Sequence, residues 1–255
     1  MRARGLLPVL ALGCGAYIAF AVSMFPAAAA LRWFAPDSVR SSNVTGTIWS
    51  GTAQLASVGG LAMRDLRWEI DAAPLLLARL RGSAQAALPN GFANTRFSVS
   101  GSEVSLSDVQ LSTSLSLLAT MLPISGANGA LSAQLESLVI AEQWPVSVAG
   151  TVRISDLLVE PLPGLGNDQL IALGSYEVEF QPALDSSEIN ASIRDRGGPL
   201  EVAADLVLTS AREYRLEGTV AARASGPDSL VQGLNFMTGE PGPDGRRPLS
   251  LTGSL

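Results

Sequence analysis

The chain of 255 residues contains no lysine and no histidine, so all 17 of its basic side chains are arginine, and Cys14 is its single cysteine. These gaps exclude most active-site chemistry. No Ser-His-Asp, Cys-His or Ser-Lys arrangement, no Schiff-base amine and no P-loop lysine can be assembled from what is present. No zinc site of the His/Cys type and no internal disulfide is available, so stability has to come from the core. Positive charge is also scarce: the net charge is −6, which argues against nucleic acid as a partner because phosphate binding needs clustered cations. Only 16% of residues are charged, against 47% apolar, enough for a core and too apolar for disorder.

Carboxylates are the reactive groups that remain. Glu177 and Glu179 stand two apart and so share one face of a strand; they read as a solvated face rather than an acid/base pair. Acidic residues around Asp185 and Glu188 are too sparse for a calcium loop. No Asp-Thr-Gly or Asp-Ser-Gly triplet occurs. The expectation is a protein that is not an enzyme, with no catalytic residue, no metal and no cofactor.

Charge is entirely missing from residues 5–31, with Arg2 and Arg4 before them and Arg32 after. As a helix at about 1.5 Å per residue this run reaches about 40 Å, more than a ~30 Å hydrocarbon core. Residues 1–4 are then a cytoplasmic N-terminus, and 5–31 a transmembrane anchor built on Leu6, Leu7, Val9, Leu10, Tyr17, Ile18, Phe20, Val22 and Phe25. Residues 32–43 follow as a membrane-proximal connector, with Trp33 and Arg32 suited to the headgroup level. Two other readings stay open. Ala27 to Ala30 offer a small-x-small site for cleavage of a signal peptide, and Gly13-Cys14 partly fits a lipidation site.

Residues 44–255 are dominated by two-residue alternation. Leu200, Val202, Ala204, Leu206 and Leu208 fall on one face; after a polar turn at 210–213, Tyr214, Leu216, Gly218, Val220 and Ala222 continue it, an antiparallel hairpin. Further strands are expected near 97–117, 131–140, 146–154, 176–181 and 189–194. The recurring phrase at Gly46-Thr47-Ile48, Gly150-Thr151-Val152, Gly218-Thr219-Val220 and Gly253-Ser254-Leu255 reads as a marker of strand starts. Helices beyond the anchor are few and short, at 74–80, within 113–122 and at 227–237, the last with Ser225 as its cap. A sheet with one apolar face and few helices must cover itself by curvature. The predicted fold is mainly β: an N-terminal transmembrane helix, then a curled, largely antiparallel sheet forming a trough, a partly open barrel or a sandwich-like layer. An apolar groove of that kind takes lipid or a protein partner.

The sharpest local signal is Val44-Thr45-Gly46-Thr47-Ile48-Trp49-Ser50-Gly51-Thr52-Ala53. It precedes Leu66-Arg67-Trp68-Glu69-Ile70 and then Pro74-Leu75-Leu76-Leu77. Read structurally, Gly46 and Gly51 bracket a strand in which Trp49 points into the core. The order of these segments, continued through Leu173-Gly174-Ser175-Tyr176 and Asp195-Arg196-Gly197-Gly198-Pro199, resembles the type II secretion system protein N family (general secretion pathway protein N). That resemblance singles out Gly46, Trp49, Gly51 and Trp68 as family-motif residues with a structural or contact role. It implies a single-pass inner-membrane protein of Gram-negative bacteria with a periplasmic β domain. Such a protein helps folded proteins cross the outer membrane by contact with inner-membrane platform or pseudopilus proteins. A more distant resemblance to AsmA-like proteins implies the alternative, a periplasmic domain that binds or transfers phospholipid.

Overall fold

The computed structural model describes residues 13–15, 17, 20–35, 38–74, 78–118, 126–160, 170–182 and 188–254. The described N-terminal residues are helical at 13–15, 17 and 20–23, and a second helix, α1, spans Ala27–Phe34. Thirteen strands then follow in a single antiparallel sheet whose spatial order is the chain order. They are β1 (Val39–Gly46), β2 (Ser50–Val58), β3 (Leu61–Asp71), β4 (Leu80–Leu88), β5 (Gly91–Ser100), β6 (Glu103–Ser114), β7 (Ala127–Ala141) and β8 (Trp144–Val159). The remainder are β9 (Ile171–Phe180), β10 (Glu188–Asp195), β11 (Leu200–Thr209), β12 (Glu213–Ala222) and β13 (Arg247–Ser254). Two short helices complete the described elements, α2 (Leu115–Leu118) and α3 (Asp228–Met237).

The sheet is open. β1 and β13 form its two edges, and packing runs almost wholly between strands that are neighbours in sequence. The expectation of a mainly β, largely antiparallel sheet holds, and the sheet is not closed. The expected β11–β12 hairpin is present, and its register sets Leu200, Val202, Ala204, Leu206 and Leu208 opposite Ala222, Val220, Gly218, Leu216 and Tyr214. The apolar face continues into β13 through Leu249 and Leu251, opposite Gly218 and Leu216.

This face is thinly covered. Its buried members are mainly small, such as Ala53, Ala133, Ala191 and Ala204, and no large side chain among the described residues is fully buried. The one compact cluster lies where α2 meets β7: Leu115 and Leu131 pack with Ala127 against Leu111, Val152 and Ile154. Beside it, Thr113 is 2% exposed and its hydroxyl has no partner among the described residues. A buried hydroxyl without a hydrogen bond is a net cost. Thr113→Val, which keeps the shape and removes the oxygen, is therefore expected to raise stability by about 1 kcal/mol in urea unfolding. A loss of stability instead would mean the hydroxyl is satisfied.

Several sequence expectations are corrected. Residues 97–117 are not one strand: β5 ends at Ser100, Gly101 turns the chain with φ +60°, and β6 begins at Glu103. The Gly-Thr-apolar phrase does not mark strand starts, because Gly46 ends β1 while Gly150 and Gly218 sit inside β8 and β12. Pro227, not Ser225, precedes α3, without a side-chain cap. Asp65, Asp108 and Asp156 interrupt the alternation. Each has positive φ (49°, 51° and 52°) and lies at a shift of register, in β3, β6 and β8. Aspartate tolerates this conformation better than most residues, and such bulges increase local twist and bend the strand.

Candidate functional site: the tryptophan turn and the arginine-lined outer face

The tryptophan motif is a turn, not a strand in the core. Gly46 and Gly51 face each other as the last pair of the β1–β2 ladder, and Thr47 to Ser50 connect them. Turn chemistry builds it: the Thr47 amide donates to the Ser50 carbonyl at 2.9 Å, and the Ser50 amide donates to the Thr47 hydroxyl at 3.3 Å. Gly46 adopts φ +92°, a conformation that side chains disfavour. Gly51 is required for another reason. A Cβ there would overlap the Trp68 ring and approach the Thr45 carbonyl oxygen to 2.9 Å.

Both motif tryptophans use their indole N–H to tie this turn to its surroundings. Trp68, half-buried on β3, donates to the Ile48 carbonyl at 3.1 Å. Trp49, also half-buried, donates to the Val22 carbonyl at 2.9 Å. The Ile48 amide donates to the Phe25 carbonyl at 3.1 Å, and Pro26 forms an isolated bridge with Thr47. The last carbonyls of a helix have no partner within it. Here the turn supplies donors to two carbonyls at the end of the N-terminal helical segment, then hands the chain to α1. On the other side the Ile70 amide reaches the Trp49 carbonyl, locking the turn to β3.

The expected anchor residues are placed as follows. Leu6, Leu7, Val9, Leu10 and Ile18 lie outside the described residues. Tyr17, Phe20 and Val22 are exposed, at 74%, 63% and 48%, an unusual run of bare apolar surface. Phe25 is half-buried and stacks on exposed Trp33, with ring centroids 5.8 Å apart. Residues 5–31 are not one continuous helix, since Met24 and Phe25 leave the helical path before Pro26. Among the described residues, no helix is long and apolar enough to cross a membrane. α1 runs through the anchor–connector boundary expected at residue 31, and β1 already occupies part of the expected connector.

The sheet from β8 to β13 carries paired charges, with Glu177 on its outer face and Asp195 at the end of β10 opposite Tyr176. Glu177 accepts from Arg153 at 2.5 Å and also pairs with Arg196; these hydrogen bonds hold its carboxyl below the usual range. Glu177 is therefore paired, while Glu179 on the same strand is exposed. Asp195 accepts from Arg223 at 2.6 Å and from the amides of Val202 and Gly197, each at 3.3 Å. Burial alone would raise the Asp195 carboxyl, but these donors outweigh it and hold it low. Next to it, burial and the Asp195 charge push Tyr176 up to about 12, so its hydroxyl stays protonated and donates to the Leu173 carbonyl at 2.7 Å.

Carboxyls held low in the folded state stabilise it above the unfolded carboxylate range, and that stabilisation disappears as pH falls. Stability is thus expected to be level near neutrality and to decline below about pH 4. Asp195→Asn should lower stability at pH 7 and shrink the difference between pH 7 and pH 3 in urea melts. An unchanged difference would rule out a contribution from this carboxylate. Carboxylates locked to arginine remain ionised and offer no proton, so this cluster does structural work. No group of three or more residues able to hold a metal occurs among the described residues.

Sequence reasoning missed the role of Val22, Phe25, Thr47 and Ser50. The flanking glycines with Thr and Ser between them are a turn signature; the indole bonds to the N-terminal segment span 27 residues and leave no local trace.

The model of the family described as "Type II secretion system (T2SS), protein N" matches residues 37–250. The chain is 25% identical over 274 aligned positions to the Type II secretion system protein N of Aeromonas hydrophila, covering 97% of this chain and 98% of that one. No solved structure matches it. Neither match is to an AsmA-like protein. Matched over most of its length and carrying its tryptophan turn as a built joint, this chain belongs to the type II secretion system protein N family.

Proposed function

We propose that this component of the type II secretion system is an accessory protein held at the inner membrane by residues 5–31, with residues 1–4 in the cytoplasm and the sheet in the periplasm. It supports passage of folded proteins across the outer membrane through contacts with platform or pseudopilus proteins. The observation that carries this reading is the joint itself: Trp49 and Ile48 donate to carbonyls at the end of the N-terminal helical segment. A sheet fixed to that segment by two hydrogen bonds and the Pro26–Thr47 bridge is held in one orientation, which suits a part positioned by one membrane against a larger assembly. Its composition offers contact surface rather than chemistry, in keeping with a role that makes and breaks no covalent bonds.

Deleting the gene and following a folded periplasmic substrate tests the proposal. Substrate is expected to accumulate in the periplasm while levels of the other secretion components stay normal, and the full-length gene should restore export. Unchanged export after deletion contradicts the role.

A further inference from the structure

Near the β13 edge, α3 lies over the apolar face and partly covers an open-sided cavity of about 410 Å³. Fourteen residues from β8, β9, β11, β12, α3 and β13, with Glu160 beyond β8 and Thr238 beyond α3, line it, and only Glu160, Ser229 and Thr238 carry polar side chains. Thr238 spends its hydroxyl on the Leu234 carbonyl at 2.7 Å, so it presents little polarity to the cavity. Leu230 and Leu234, four apart on α3 and both buried, form the roof; Val202, Val220 and Leu249 form part of the floor. The volume lies toward the low end of the range of small-molecule sites, roughly 300–1,000 Å³.

The rim is charged. Arg247 sits on the same face of β13 as Leu249, two residues away. Its guanidinium donates to the Gly239 carbonyl at 3.0 Å and to the Asn235 side chain, next to the cavity residues Thr238 and Leu234. Both acceptors are neutral. Arg247, like Arg194 and Arg215, has no carboxylate partner among the ion pairs of the described residues, and of these three it is the one that reaches the end of α3 beside the cavity. The cavity also has a carboxylate, Glu160, but it follows β8, whereas Arg247 opens β13 at the sheet edge. An apolar slot with a guanidinium beside its β13 end matches a molecule with an alkyl chain and an anionic head placed at that end.

We infer that this cavity binds a single-chain anionic amphiphile of the fatty-acid class, its alkyl chain between α3 and β11–β13 and its acid group at Arg247. The site is separate from the tryptophan turn, at the opposite edge of the sheet, and does not depend on the secretion role proposed above.

Gly233 provides a clean test. It lines the cavity, and a Cβ at this position would meet nothing within 4 Å. Leucine there fills the slot and favours the helix, since it is a better helix former than glycine. The full chain in phosphatidylcholine nanodiscs is photolabelled with diazirine palmitate and, in parallel, with the uncharged diazirine palmityl alcohol. Palmitate should label peptides containing residues 230–234 and 249–251. Gly233→Leu should reduce that labelling roughly tenfold with an unchanged circular dichroism spectrum. Arg247→Gln should reduce labelling by palmitate about fivefold, a loss in the range of a charge-assisted bond, and leave labelling by the alcohol as it was. Labelling spread along the whole apolar face, or undiminished in Gly233→Leu, overturns the site. Equal effects of Arg247→Gln on both probes overturn the role of the charge. Stronger labelling from phosphatidylglycerol vesicles carrying the same photoreactive chain overturns the choice of a free acid over a bilayer lipid.

Discussion

Trp68→Ala should destabilise the protein by about 3 kcal/mol, the lower end of the range for removing a large aromatic from a core. The lower end applies because Trp68 is half-buried. Its ring covers the backbone of Gly51, and its N–H satisfies the Ile48 carbonyl. Loss of the side chain leaves that carbonyl unpaired and opens space over the β1–β2 hairpin. Trp49→Ala is the informative comparison. Trp49 sits in the turn and chiefly contributes one hydrogen bond, to Val22, so its removal should cost only about 1 kcal/mol. Urea unfolding followed by circular dichroism distinguishes the two. Equal losses would return Trp49 to the core position that its sequence context suggests.

Gly51→Val should cost about as much as Trp68→Ala by the opposite route, overpacking. The new Cβ occupies the place of the Trp68 ring and crowds the Thr45 carbonyl, and forcing extra atoms into a filled site typically costs about 1–3 kcal/mol. The added displacement of the indole from its bond to Ile48 brings the total to roughly 3–4 kcal/mol. Because both changes act on one contact, they should not add. With the ring gone, the clash with the indole is relieved and only the contact with the Thr45 carbonyl remains, so the double variant should be more stable than the sum of the single losses predicts, by about 0.5–3 kcal/mol. Strict additivity would show that Gly51 and Trp68 act independently.

Much of the sheet was legible in the sequence, and the reason is topological. Consecutive strands pair in order, so the alternation within Leu200–Thr209 and Glu213–Ala222 marked both strands of a hairpin and the face they share, while the register came only with the structure. Three kinds of feature escaped. A turn built on Gly101 was hidden because alternation resumes on the far side of it. The Asp65, Asp108 and Asp156 bulges exchange the faces of a strand without changing its composition. The tryptophan motif looked like a core strand because it is apolar and bracketed by glycine, yet Gly46 and Gly51 are the closing pair of a hairpin. What an indole N–H finds 27 residues away is decided by how the chain leaves the N-terminal segment, and no period in the sequence records it. The cavity under α3 was foreshadowed only in outline, as an apolar face in want of cover; that α3 roofs one end of it follows from Leu230 and Leu234 turning toward the sheet.

The attachment of the N-terminal helical segment to the sheet is open to direct measurement by amide hydrogen exchange on the full chain in nanodiscs. If the tryptophan turn is a fixed joint, the amides of Ile48 and Ile70, which donate to Phe25 and Trp49, should be protected to the same degree as the β2–β3 ladder. Trp49→Ala should then release Ile48 while β7–β8 stays protected. Rapid exchange at Ile48 in the unaltered protein, alongside a protected β2–β3 ladder, would mean that the sheet swings freely from its N-terminal segment.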